Sequence, residues 1–202
     1  MSSTRSTARQ GWVSLRAMVV FTLVLGVGYT ALVTAVGQLA LPAQANGSLV
    51  QVDGETVGSS LIGQSFTDAN GAALPEWFQS RPSAAGDGYD SAASSGSNLG
   101  PENADLVTAI EERKEAIATL EGVDSELIPA NALTASASGL DPHISVAYAE
   151  LQVPRIARER GLPEDTVRDL VAAHTQGRDL GFLGEPTVNV LELNVHLAEL
   201  AG

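Results

Sequence analysis

From Ala17 to Leu41 the chain runs 25 residues without a charged side chain. A helix rises about 1.5 Å per residue, and roughly 20 apolar residues cross the hydrocarbon core of a bilayer. Gln38 and the scattered Gly and Thr residues are tolerated in such a helix. The run predicts one transmembrane helix over residues 17–41. Residues 1–16 are left as an N-terminal tail and 42–202 as a separate domain. An alternative is a cleaved signal peptide, because Ala43-Gln44-Ala45 has the small-x-small form of a signal peptidase site. A signal h-region is only about 7–15 residues long, so the length of this run favours a retained anchor.

The flanks set the expected orientation. Arg5, Arg9 and Arg16 precede the run, and the first acidic residue is Asp53. Cytoplasmic flanks are enriched in Arg and Lys, so the N-terminus is expected in the cytoplasm and the C-terminal domain outside, in a single-pass protein of the cell membrane. All 24 acidic residues follow the run. Three of the 11 Lys and Arg residues precede it and eight follow, so the domain carries a net charge near −16. Such a surface disfavours nucleic acid and anionic lipid, which need clustered cations. Cysteine is absent, so an outer domain must be held by its core rather than by disulfides.

The domain reads as α+β. Residues 44–82 look β-rich: Leu49, Val50 and Val52 precede the hairpin signal Asp53-Gly54, and Thr56, Val57, Leu61 and Ile62 follow it. Trp77 and Phe78 are expected to lie in a strand that Arg81 terminates. Residues 83–100, rich in Gly, Ser, Ala and Asp, predict a flexible loop. Residues 101–121 predict a helix with Pro101 in its first turn, Leu106, Ile110, Ile117 and Leu120 on one face, and Gly122 as its stop. Asp141-Pro142 is expected to cap and start a further helix. Short helices are expected over Val153–Arg160 and Pro163–His174. Residues 188–200 fit either a strand, by alternation, or a helix capped by Asn189, and the helix is preferred.

Catalytic signals are weak. The chain has one lysine, Lys114, and no GxxxxGK[ST] loop, which excludes a self-contained P-loop ATPase. His143, His174 and His196 lack zinc-site spacing. Asp141, His143, Ser136 and Ser138 would supply the parts of a hydrolase, but no GxSxG elbow is present. Capping by Asp141 and close backbone packing of Thr134–Gly139 are the simpler readings. Arg81, with Ser83 after it, enters the loop and is suited to a bidentate carboxylate contact. That contact is either an internal ion pair or a docking point for a partner. Gly26, Thr30 and Thr34 recur at four-residue spacing and form a small-residue stripe on which another membrane helix could pack.

Several segments, taken in order, resemble one family. They are Gly47-Ser48-Leu49, Gly63-Gln64-Ser65-Phe66, Phe78-Gln79-Ser80-Arg81-Pro82-Ser83-Ala84, Tyr89 to Ser97 and Ser97-Asn98-Leu99-Gly100-Pro101. They continue with Thr134 to Ser145, which holds Asp141-Pro142-His143, then Gln152-Val153-Pro154-Arg155 and His174-Thr175-Gln176-Gly177-Arg178. Leu180 to Pro186 and Val188 to Asn194 complete the set. Together they resemble the C subunit of the bacterial Kdp potassium-transporting ATPase. The family tends to have Thr where Glu102 stands and Pro where Val146 stands.

The resemblance implies an accessory subunit without catalysis of its own. It implies three partners: a channel-like potassium-selective subunit, a P-type ATPase subunit and a small fourth subunit. In the family the C subunit assists assembly and acts as a catalytic chaperone of the ATPase subunit. ATP and potassium then belong to the complex, and no cofactor is expected on this chain. A domain capping the outer mouth of the potassium subunit suits the acidic surface. The alternative is a membrane-anchored or secreted hydrolase or binding protein.

Overall fold

The structure, a computed structural model, describes residues 3–200, with side chains from Thr7 onward. The chain divides into two compact units, Met1–Ser48 and Leu49–Gly202.

The first unit is helical. Helix α1 (Ser3–Phe21) runs into a π-helical segment, Thr22–Tyr29, and then into α2 (Thr30–Ala40). A one-turn helix α3 (Pro42–Ala45) follows. The stretch Thr7–Ala40 is long and apolar enough to cross a membrane. The helix continues back from the apolar run through residues 3–16, where Ala, Arg, Gln and Leu are good helix formers. The π segment holds Gly26 and Gly28, two residues with weak α preference. Its wider i→i+5 turn changes the register of side chains around the axis.

The second unit opens with an antiparallel hairpin, β1 (Leu49–Val52) and β2 (Glu55–Ser59). Asp53 (φ 51°) and Gly54 (φ 82°) both have positive φ, the geometry of the two-residue turn their sequence signals. Beyond Ser59 the β-rich expectation fails. Residues 60–82, including Trp77 and Phe78, form no regular strand: residues 62–74 bond to loop backbone such as Leu140 O, and 75–79 bond to helix side chains instead of a neighbouring strand.

Residues 83–100 carry no helix or strand either, but they are tied down. Ser95 N–H donates to Ser138 O at 2.9 Å and Ser94 Oγ to the same oxygen at 3.0 Å. Helix α4 (Ala104–Glu121) begins later than expected, since Asn103, not the Pro101 region, caps it: Asn103 Oδ1 accepts from Asp105 and Leu106 N–H. Gly122 ends it at φ 69°.

After a 3₁₀ turn (Ser125–Leu127) and the one-turn helix α5 (Ala130–Leu133), Asp141-Pro142 leads into strand β3 (His143–Ser145) rather than a helix. Tertiary pairing overrides the local cap signal here, because β3 aligns antiparallel with β5 (Thr187–Asn189), His143 facing Asn189. The helix that follows is α6 (Val146–Arg160), and its cap is Ser145, whose Oγ accepts from Tyr148 N–H. It starts seven residues before the expected Val153 and carries Pro154 inside. Helix α7 (Glu164–Ala173), strand β4 (Thr175–Gln176), β5 and α8 (Val190–Glu199) complete the unit. Asn189 ends β5 and caps α8, so residues 188–200 are a strand end followed by the expected helix.

The three-stranded sheet runs β3-β5-β4. The core lies between it and helices α6, α7 and α8. Tyr148, Val153 and Ile156 on α6, Val167 and Val171 on α7, Val188, and Leu193 and Leu197 on α8 are all buried, with Phe78 packed among them.

Candidate functional site

The residues singled out from sequence converge on one junction. Arg81 Nη1 donates to Asp141 Oδ2 at 2.9 Å, while its Nε and Nη2 donate to Thr134 O at 3.3 and 3.1 Å. Asp141 Oδ1 accepts from His143 N–H at 3.0 Å and lies 3.2 Å from His143 Nδ1. Burial pulls the Asp141 carboxyl up, but the His143 ring and N–H and the Arg81 guanidinium outweigh it and hold the group below its usual range. Ser83 Oγ donates to Gly139 O at 2.6 Å and accepts from Ala85 and Tyr89 N–H. Tyr89 donates its hydroxyl to Arg81 O at 2.7 Å, and burial pushes its phenol up to about 12. Arg81 thus makes the internal ion pair, and Ser83 is engaged within the same fold.

This junction closes residues 81–89 onto 134–143. Within it Ser136 Oγ and Ser138 Oγ bond each other at 3.3 Å, and Ser138 Oγ also accepts from Leu140 N–H. Among the described residues, no group of three or more His, Cys, Asp or Glu is placed to hold a metal ion.

A second polar set was not visible in the sequence reading. Asn194 Nδ2 donates to Phe78 O and its Oδ1 accepts from Phe78 N–H, both at 2.9 Å. Gln152 does the same for Gln79, its Oε1 accepting from the N–H at 2.6 Å and its Nε2 donating to the carbonyl at 3.2 Å. Gln79 Nε2 in turn reaches the carbonyls of Phe66, Leu74 and Trp77. Arg155, 1 % exposed, donates to Glu121 Oε2 at 2.9 Å, to Gln152 Oε1 at 2.9 Å, to Trp77 O at 3.1 Å and to Pro75 O. Burial pushes the Glu121 carboxyl up against the pull of Arg155. The available signal was a guanidinium between Val153 and Ile156 on a helix, one turn beyond Gln152.

Beside the junction lies an open cleft of about 950 Å³, lined by Arg81, Ser83, Tyr89 and Tyr148 on one side and by Glu112 and Arg113 of α4 on the other. Arg113 donates to Leu133 O at 2.9 Å. The Gly26, Thr30 and Thr34 side of the first unit is exposed throughout. Thr30 and Thr34 lie within α2, and Gly26 lies in the π segment four residues before Thr30, where the wider turn keeps that spacing near one full turn.

Residues 12–199 match the family described as KdpC, the c chain of the K⁺-transporting ATPase. The chain belongs to the KdpC family. A potassium-transporting ATPase KdpC subunit of Kineococcus radiotolerans is 54% identical over 193 residues, covering 96% of this chain and 95% of that protein. KdpC subunits of Koribacter versatilis and Gemmatimonas aurantiaca are 48% and 53% identical, over 91% and 89% of this chain and 91% and 87% of their own lengths. The family match spans both the apolar helix and the folded unit. Family membership makes the chain a subunit of a multi-subunit potassium-transporting ATPase. Val146 is the first residue of α6, a position that also suits Pro.

Proposed function

We propose that the chain is a non-catalytic accessory subunit of an ATP-driven, high-affinity potassium uptake complex. It is held in the cell membrane by one helix, with the N-terminus cytoplasmic and residues 42–202 extracytoplasmic. There the outer unit assists assembly, supports the ATPase subunit and caps the outer mouth of the potassium-selective subunit. Potassium and nucleotide are handled by the other subunits.

The observation that carries this reading is the reversal of charge across the apolar run: three arginines precede it and all 24 acidic residues follow it. The three arginines before the run support that orientation by the positive-inside rule. The asymmetry also gives the outer unit a field that attracts cations and raises their local concentration. The polar residues that suggested a hydrolase support the reading too, because they are engaged in structural bonds.

The absence of cysteine makes the test direct. Single cysteines placed at exposed Glu111 and at Ser6 are probed in intact cells with a membrane-impermeant maleimide. Labelling at position 111 alone is expected; labelling at position 6 alone would reverse the topology. Purification through a tagged ATPase subunit, with and without this chain, is expected to show a complex that loses subunits and potassium-stimulated ATP hydrolysis when the chain is missing. Full assembly and activity without it would remove the accessory role.

A further inference from the structure

Between β4 and β5 the chain folds into a tip that displays apolar side chains to solvent. Leu180 is 83% exposed, Phe182 68% and Leu183 50%. Single exposed apolar residues are ordinary, but three large ones within four positions form a contiguous patch of the kind that marks an interaction site.

The tip is built, not loose. Asp179 and Leu183 exchange both backbone hydrogen bonds, each at 2.9 Å, and Arg178 pairs with Glu185 across its base. Leu180 sits at φ 52°, a left-handed conformation that a bulky residue rarely adopts, and Gly181 and Gly184 supply the other two positive-φ positions, at 82° and 74°. A strained backbone is thus held in place by its own hydrogen bonds to present Leu180, Phe182 and Leu183 outward. None of the three belongs to the buried core or packs against it.

We infer that this β4–β5 tip is a docking knob that seats in an apolar pocket, rimmed by basic side chains, on another subunit of the ATPase complex. The inference rests on the accessory-subunit reading above. Lipid is the poorer occupant. Membrane-inserting tips set their apolar residues among Lys and Arg, which anionic headgroups attract. Here the one cation, Arg178, is already paired with Glu185, Asp179 lies beside it, and the residues after the span hold 24 acidic against eight basic side chains. A second copy of this acidic unit would meet like charge, whereas a basic rim complements Asp179 and the acidic excess of the unit. A preformed tip also loses little conformational entropy on binding.

The test uses the assembled complex. Leu180→Ser/Phe182→Ser is compared with wild type and with a control at exposed apolar positions elsewhere, Val107→Ser/Leu127→Ser, by co-purification with the tagged ATPase subunit. The tip variant is expected to be retained at least about tenfold less, the loss associated with a central apolar anchor, with the control unchanged and all three chains melting alike. Wild-type chain that fails to co-purify would sink the accessory reading itself. Wild type and tip variant co-purifying equally would sink only the knob. A bimane probe at Phe182→Cys separates the occupants. A blue shift on assembly supports the knob. The same shift with the chain alone in anionic nanodiscs would assign the tip to lipid. A concentration-dependent shift in detergent would assign it to a second copy, and either of these overturns the inference.

Discussion

The side chain of Asn194 brackets the backbone of Phe78, donating to its carbonyl and accepting from its N–H, both at 2.9 Å and across 116 positions of sequence. A carboxamide has the donor–acceptor pair of a peptide group, so α8 does for this buried residue what an adjacent strand does in a sheet. Gln152 on α6 repeats the arrangement at Gln79. Two helices thereby satisfy an irregular segment that would otherwise bury unpaired polar groups.

Asn194→Leu preserves bulk but leaves both polar groups of buried Phe78 without partners. Each such group costs about 1–3 kcal/mol, so a loss of about 2–6 kcal/mol is expected. Urea unfolding of the full chain in detergent measures it. A change in free energy below about 1 kcal/mol would mean water or a shifted backbone replaces the amide.

Arg155 and Glu121 predict non-additivity. Arg155→Met leaves Glu121 buried without its counter-charge and frees the carbonyls of Pro75 and Trp77, so a cost of about 3–5 kcal/mol is expected. Adding Glu121→Leu removes the unpaired carboxyl, and the double variant is expected to recover part of that loss. Recovery stops short of wild type, because the two carbonyls stay unsatisfied. Strict additivity of the two single changes would show that the charges do not couple.

The pH dependence follows from Asp141. Its carboxyl is held below the ordinary range in the fold, so its contribution is present above the unfolded value and lost as pH falls through the depressed folded value. Glu121 has the opposite sign: its raised value favours the fold at low pH, and that advantage is lost as pH rises through it. Asp141→Asn is therefore expected to melt well below wild type at neutral pH, with the gap closing as acid protonates the wild-type group. Melting curves across the acid range check this, and a gap independent of pH would remove the ionic role of Asp141.

Two glycines with the same φ of 69° separate strain from collision. A Cβ at Gly122 meets nothing within 4 Å, whereas one at Gly139 comes within 2.5 Å of Ser95 O and 2.8 Å of Ala85 N. Gly122→Ala is expected to cost about 1 kcal/mol from backbone strain alone. Gly139→Ala adds displacement of the 83–100 segment. It is expected to cost more and to open that segment to limited proteolysis. Equal stability and equal cleavage in the two variants would contradict the tight packing of 83–100 on 136–139.

What the sequence disclosed follows from the range of the forces involved. The apolar run, the Asp53-Gly54 turn, the stop at Gly122 and the cap at Asn189 are local signals, and each is found where expected. The failures are places where distant residues decide. Trp77–Phe78 looks like a strand because it is apolar, but the Trp77 carbonyl accepts from the Arg155 guanidinium on α6 and Phe78 pairs with the Asn194 amide on α8. Asp141-Pro142 looks like a helix start, but pairing with β5 makes it a strand entry. The Arg81–Asp141 contact was half legible: Arg81 invited a carboxylate, and only the fold supplies which one.

The helix stripe gives the last prediction. Membrane helices associate through close van der Waals fit at small residues rather than through expulsion of water. Thr30 and Thr34 share a face of α2, and Gly26 lies in the π segment, whose wider turn keeps a four-residue spacing on that same face. Thr30→Leu/Thr34→Leu is therefore expected to overpack a helix contact by about 1–3 kcal/mol and to lower the amount of chain that co-purifies with the ATPase subunit. Gly26→Leu, on the same face, is expected to lower it too. The second unit holds its own core, so its melting is expected to be unaffected by either change. A loss from the Thr30/Thr34 variant alone would mean that the partner helix does not reach the π segment. No loss from either would place the binding energy outside the membrane helix, on the folded unit.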